Sequence, residues 1–98
     1  MVLNQNEIKN AVHTIAPKYG IESVYLFGSY ARGEASEDSD CDFRIVGGNI
    51  YSLLDLGGLY EDLMESLNCK VDIVLTKNIK PDFYEKIKDD EVLIYGRL

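Results

Sequence analysis

Two aspartates one residue apart, Asp40 and Asp42, open the apolar run Cys41-Asp42-Phe43-Arg44-Ile45-Val46, and a gap of ten residues separates them from the pair Gly28-Ser29. This spacing constrains the fold more than any other feature of the chain. Alternation along an extended segment turns Asp40 and Asp42 to one face and Cys41, Phe43 and Ile45 to the other. The run therefore reads as a strand, acidic at its start and buried on its opposite side. Gly28-Ser29 ends a second apolar run, Ile21 to Phe27, and leads into Tyr30-Ala31-Arg32-Gly33, a helical turn stopped by glycine. A turn that leaves a strand and opens a helix offers bare backbone N–H groups and a hydroxyl to a phosphate.

A third aspartate, Asp72, lies inside the apolar segment Lys70-Val71-Asp72-Ile73-Val74-Leu75. If the two acidic strands are neighbours, three carboxylates converge. Two carboxylates about 4 Å apart repel by roughly 4 kcal/mol at an effective dielectric near 20. Such a cluster calls for a counter-charge, and Mg²⁺, a hard cation shared between carboxylates and substrate phosphates, is the ordinary one. The plainer alternative makes Asp40 and Asp42 polar residues at the start of an edge strand and Asp72 a solvated strand residue. An Asp-x-Asp pair alone fits that alternative; its combination with the glycine-serine turn and the third aspartate favours a site.

The remaining elements alternate. Asn4 with Glu7 forms a capping-box-like start, and Ile8, Ala11, Val12 and Ile15 follow at helical spacing, predicting a helix that ends near Pro17. Ile21 to Phe27 and Asp40 to Val46 are strands, and Tyr51 to Leu67 is a second long helix with Ser52 or Asn49 near its start. Gly57-Gly58 within it costs roughly 1 kcal/mol per glycine relative to alanine, so the helix is kinked there or something packs closely against it. Lys70 to Leu75 is a third strand, Pro81 to about Lys88 a third helix, and Val92 to Tyr95 a short strand or extended tail. The result is one α/β (α+β) domain over residues 1–98: two layers, a small mixed sheet with helices packed on one face and the other face partly open.

Hydrophobic residues make up 46% of the chain and charged residues 28%, as in an ordinary globular domain. The net charge of −7, from 10 basic against 17 acidic residues, argues against binding to bulk nucleic acid, which requires neutralisation of phosphates. Met1 to Asn6 lack the regions of a signal peptide and no apolar run reaches membrane length, so a cytoplasmic location is expected. Cys41 and Cys69 read as small core residues on the face opposite the carboxylates.

Gly-Ser, ten residues, Asp-x-Asp and a later Val71-Asp72-Ile73-Val74 resemble the minimal nucleotidyltransferase (MNT) domains of the DNA polymerase beta superfamily. Tyr25 to Gly33 is similar to that family's strand-turn-helix, and Ser52 to Leu56 and Val92 to Tyr95 to its later helix and closing segment. The resemblance implies transfer of AMP from ATP to an acceptor hydroxyl with release of pyrophosphate. It implies that Gly28 and Ser29, with Arg32, hold the triphosphate, that Asp40 and Asp42 bridge two Mg²⁺ ions, and that Asp72 completes the second metal site and takes the acceptor proton. Larger relatives add a helical acceptor-binding domain; with the sequence ending at Leu98, none is expected here, and the acceptor surface is expected to come from a partner. MNT proteins of this kind are commonly paired with HEPN-domain ribonuclease toxins and act as antitoxins by adenylylating a toxin tyrosine, so a hetero-oligomer is expected. Two alternatives remain: a binding module that neutralises its partner by occlusion alone, and a small-molecule nucleotidyltransferase.

Arg32 has two readings, contact with bound phosphates or pairing with an acid of the Glu34 to Asp38 run. Arg44, by alternation, shares the face of Asp40 and Asp42, where the family usually carries an apolar residue. It is expected to neutralise part of the cluster or touch the acceptor, and it is the feature on the side of the occluder. Tyr30 stacks near the cradle or packs beneath the turn, and His13 is a structural residue of the first helix.

Overall fold

The computed structural model describes residues 2–96. Asn4 caps helix α1 (Gln5–Ile15) by accepting a bond from the Glu7 N–H at 2.8 Å, while Glu7 reaches back to the Asn4 N–H, so the expected capping box is complete. A 3-10 turn, Ala16–Tyr19, then leads through Gly20, in the left-handed conformation, into strand β1 (Ile21–Phe27). Helix α2 (Gly28–Arg32) follows directly, then β2 (Cys41–Gly47), α3 (Leu53–Leu67), β3 (Val71–Leu75), α4 (Pro81–Ile87) and β4 (Val92–Gly96). Boundaries differ from the sequence reading by a residue or two, as helix and strand ends do. Val92 to Gly96 is a true sheet strand.

The strand order is β3-β2-β1-β4. β1 runs antiparallel to both β2 and β4, and β2 runs parallel to β3, giving a mixed sheet. α3 supplies the crossover that a parallel β2–β3 pair requires. One face of the sheet presents Val24, Leu26, Cys41, Phe43, Ile45, Val71, Ile73 and Ile94, and α1 and α3 cover it with Ile8, Val12, Ile15, Leu59, Leu63 and Leu67, all buried. Complete removal of one such side chain from water stabilises by about 1.5–3 kcal/mol, so this layer dominates the folding free energy. The opposite face is covered only in part, by α4, whose Phe83 meets Phe27 edge-on with ring centroids 5.9 Å apart.

Gly58 proves to be a close approach. A Cβ there would lie 3.0 Å from the Tyr19 hydroxyl, which donates to Asp62 at 2.7 Å from the same helix. Burial first, and then the Asp62 carboxylate, push the Tyr19 phenol up to about 12. Gly57 faces open space, and nothing in the structure explains it. At the start of α3, Leu53 and Leu54 are 87% and 86% exposed, so these two leucines lie outside the core. Among the described residues no helix is long and apolar enough to cross a membrane.

Candidate active site

The antiparallel register pairs Phe27 with Asp42, and the parallel register pairs Asp42 with Asp72. Three adjacent strands therefore place the end of β1, the start of β2 and the start of β3 side by side. Neighbouring strands lie about 4.8 Å apart, so residues in direct register on one face meet at the side chain. Asp42, half-buried, stands between Phe27 and Asp72 in that row, while Asp72 and Asp40, the latter two residues before Asp42 along the chain, are exposed. Gly28 is the next residue after Phe27. Its φ of 76° is in the left-handed region, and a Cβ built on it would collide with the Asp42 carboxylate. Glycine is required there on both counts, and the collision shows how closely the turn is seated against the acid.

The Asp42 carboxyl is pushed up to about 6, by burial first, then by the charges of Asp72 and Asp40, with Arg32 acting in the opposite direction. The sequence-predicted acids thus feel one another across two strands. Among the described residues no ion pair neutralises them. Nor do three Asp, Glu, His or Cys side chains close into a ready-made cage. Hard carboxylate donors on adjacent strands, one half-buried and without an ion-pair partner, fit a divalent cation whose remaining ligands are water and substrate phosphate.

At the turn itself, no side chain caps the start of α2, which leaves its first-turn N–H groups to solvent or a ligand. Ser29 anchors the far end of the turn, its carbonyl accepting from the Gly33 and Glu34 N–H groups. Tyr30 packs beneath, buried, with its hydroxyl accepting from the Leu3 N–H at 3.5 Å. Burial raises its phenol pKa. Arg32 is exposed and pairs with Glu34 at 3.1 Å and with Asp90 at 3.3 Å, so the acid-pairing reading holds, with a second partner from outside the Glu34 to Asp38 run.

Arg44 requires a correction. It shares the sheet face of Asp42, as alternation predicts, but its charge does not serve the acids. Its guanidinium forms a two-pronged pair with Glu91, through Nε and through Nη2 at 3.0 Å, and donates to Thr76 Oγ1 at 2.9 Å. Tyr25 and Tyr84 stack on it at 4.3 and 5.1 Å from their centroids. Both side chains are nearly inaccessible, 8% for Arg44 and 7% for Glu91. The Glu91 bond, ahead of the opposing effect of burial, raises the Arg44 pKa, which keeps the guanidinium charged. The sequence reading missed Asp90 and Glu91, whose signal was available as the acidic run Asp89-Asp90-Glu91. Those two residues bind an arginine of the turn and an arginine of β2 respectively.

Cys41 and Cys69 are both free thiols, on the helix-covered side as expected. Burial, with the adjacent Cys69, drives the Cys41 pKa far above the ordinary thiol range. His13 is structural: its Nε2 lies 3.1 Å from the Ile94 carbonyl, and its ring meets Tyr95 edge-on. A cleft at the other end of the sheet, lined by Ile45, Gly48, Tyr51, Leu75 and Lys77, contains no carboxylate.

The chain matches the family described as polymerase beta nucleotidyltransferase over residues 8–97. It is 39% identical over 90 residues to a Methanocaldococcus jannaschii protein provisionally named a protein adenylyltransferase, covering 92% of this chain and 97% of that one. It is 35% identical over 77 residues to the protein adenylyltransferase MntA of Thermococcus cleftensis, covering 79% of this chain and 78% of the relative. Its fold is similar to that of a chain in the solved complex of tri-AMPylated Shewanella oneidensis HEPN toxin with MNT antitoxin, with a TM-score of 0.73, 18% identity, and coverage of 95% and 73%. This chain belongs to the polymerase beta nucleotidyltransferase family.

Proposed function

We propose that this nucleotidyltransferase moves AMP from ATP onto a tyrosine hydroxyl of a HEPN-domain partner, and that it acts as the antitoxin of that pair. The observation that carries the reading is Asp42: half-buried, seated against Gly28, in register with Asp72, and burdened by burial and like charge with no ion pair among the described residues to relieve it. The choice of acceptor class is supported by the relatives named as protein adenylyltransferases and by the AMPylated toxin bound to an MNT antitoxin of similar fold. Because the reaction draws on ATP, it belongs in the cytoplasm.

In the proposed reaction the tyrosine oxygen attacks the α-phosphorus, a new O–P bond forms, and the bond to the β-phosphate oxygen breaks to release pyrophosphate. Gly28 and Ser29 hold the triphosphate with the first N–H groups of α2, and Arg32 contributes charge from the helix's far end. Asp72 accepts the tyrosine proton on a carboxylate oxygen. Asp40, Asp42 and Asp72 would hold two Mg²⁺ ions, which when bound neutralise charge at the phosphates and lower the acidity barrier of the acceptor. Positioning and neutralisation carry the rate, since phosphoryl-group transfer asks little covalent chemistry of the protein. Arg44 no longer weighs toward an occluder with a degenerate site, because Glu91 engages its charge.

The test is intact-mass spectrometry of the cognate partner after incubation with this protein, ATP and Mg²⁺. A gain of one or more AMP units is expected. Asp72→Asn should bind ATP and transfer nothing. A partner that is silenced at unchanged mass would establish occlusion instead.

A further inference from the structure

Behind the carboxylates, on the helix-covered side of the sheet, the sulfurs of Cys41 and Cys69 lie 3.4 Å apart. The backbone holds them there from both directions. The Cys41 N–H donates to the Lys70 carbonyl at 2.9 Å, pinning the head of β2 to the residue before β3. Asn68, at a φ of 52°, ends α3 in the left-handed conformation and turns Cys69 back toward the sheet. A disulfide requires about 2.05 Å between sulfurs, so a closure of roughly 1.3 Å from the observed 3.4 Å completes one. Cys41 is fully buried and Cys69 half-buried, so one thiol is reachable from solvent and the other is held directly behind it.

We propose that Cys41 and Cys69 form an oxidisable dithiol, a modification site that a peroxide converts into a clip joining the end of α3 to the head of β2. A peroxide first oxidises Cys69 to a sulfenic acid and is itself reduced to water. The Cys41 sulfur then attacks the Cys69 sulfur, an S–S bond forms, the S–O bond breaks, and the departing hydroxide takes the Cys41 proton as a second water. Overall, two thiols and one hydrogen peroxide give one disulfide and two waters. The bond lies on the opposite side of β2 from Asp40 and Asp42, so it ties the strand that carries them without altering the carboxylate face. The inference rests on thiol geometry alone and stands whether or not the chain transfers AMP.

The experiment treats the reduced protein with stoichiometric hydrogen peroxide, alkylates the remaining thiols, and records intact mass without reductant. Expected are a monomer lighter by two hydrogens, no alkylated thiol, reversal by dithiothreitol, and a melting temperature higher by roughly 15 °C, as a cross-link between residues 28 apart confers. Cys69→Ser, altered at the half-exposed position so that the core stays intact, should lose the two-hydrogen change and the thermal gain together. Oxygen addition without loss of two hydrogens, or disulfide-linked dimers in place of the lighter monomer, would overturn the proposal. So would an oxidised monomer that melts no higher than the reduced one.

Discussion

Asp42 and Arg44 stand two residues apart on the same face of β2, and their surroundings are opposite. Arg44 is closed on every side: Glu91 meets its charge, Thr76 takes a third donor, and two tyrosines cover its plane. Asp42 has neighbours of its own sign, Asp72 and Asp40, and no ion pair among the described residues to answer them. A charge satisfied within the chain supports the structure; a charge that the chain crowds and leaves unmatched is available to something outside it. Sequence alternation places both residues on one face but is silent about this difference, because the decisive partner of Arg44 lies 47 residues away.

The largest effect expected is on the open side of that comparison. Asp42→Asn should reduce AMP transfer by roughly a thousandfold, since loss of a metal-holding carboxylate removes several kcal/mol of transition-state stabilisation. Single-turnover transfer to the partner measures it. Residual activity within tenfold of wild type would show that Asp42 is not at the reacting centre.

On the closed side the expected loss is in stability. Arg44→Leu leaves Glu91 buried without a partner and should cost about 3–5 kcal/mol, whereas Arg44→Met combined with Glu91→Leu should recover most of it. Denaturant titration reads both. ATP affinity in the presence of Mg²⁺ should stay within about twofold of wild type for whichever variant remains folded. A tightening of Mg²⁺ binding in Arg44→Leu would mean that Arg44 had been acting on the aspartates after all, and the contrast between the two residues would collapse.

A smaller effect follows from the raised pKa of Asp42. The folded value, about 6, lies above the ordinary 3.8, so between those values the folded chain binds a proton that the unfolded chain does not. The penalty from this group is therefore fully present at pH 7 and is relieved as pH falls through 6 toward 4. At 1.36 kcal/mol per unit, and allowing for solvent screening of a half-buried group, it amounts to about 1–2 kcal/mol. Asp42→Asn should melt higher than wild type at pH 7, with the gap closing near pH 4. A gap independent of pH would remove the like-charge account.

Much of this was legible without a structure, for a physical reason. Period-two alternation and the glycine-serine turn are local signals, and they correctly grouped Gly28, Asp40, Asp42 and Asp72 because strand register turns local spacing into proximity. The capping box of Asn4 and Glu7 was legible for the same reason. Gly58 was readable only as a cost; its cause, the Tyr19 hydroxyl, comes from another element. Arg44 with Glu91, Arg32 with Asp90, and the sulfur contact of Cys41 with Cys69 all depend on how distant segments pack, and no periodicity encodes a partner.

Arg32 lies between the two extremes and gives the smallest and sharpest test. It is exposed, held by Glu34 and Asp90, and close enough to the site to oppose the upward shift of Asp42. Exposed pairs contribute little to folding, so Arg32→Gln should leave the melting temperature nearly unchanged. If the guanidinium leaves its acids for the triphosphate, the same substitution should weaken ATP binding roughly five- to tenfold, as loss of one charge-assisted contact does. Asp90→Asn then supplies the opposite sign: with one competing acid removed, Arg32 is freer to reach phosphate, and ATP should bind roughly two- to threefold more tightly. The double variant should show no gain over Arg32→Gln alone, because the benefit of removing Asp90 passes through the arginine. Calorimetric titration of the three variants decides it. Equal tightening by Asp90→Asn with and without Arg32 would reduce Asp90 to a general negative charge and leave Arg32 a strut, on the same footing as Arg44.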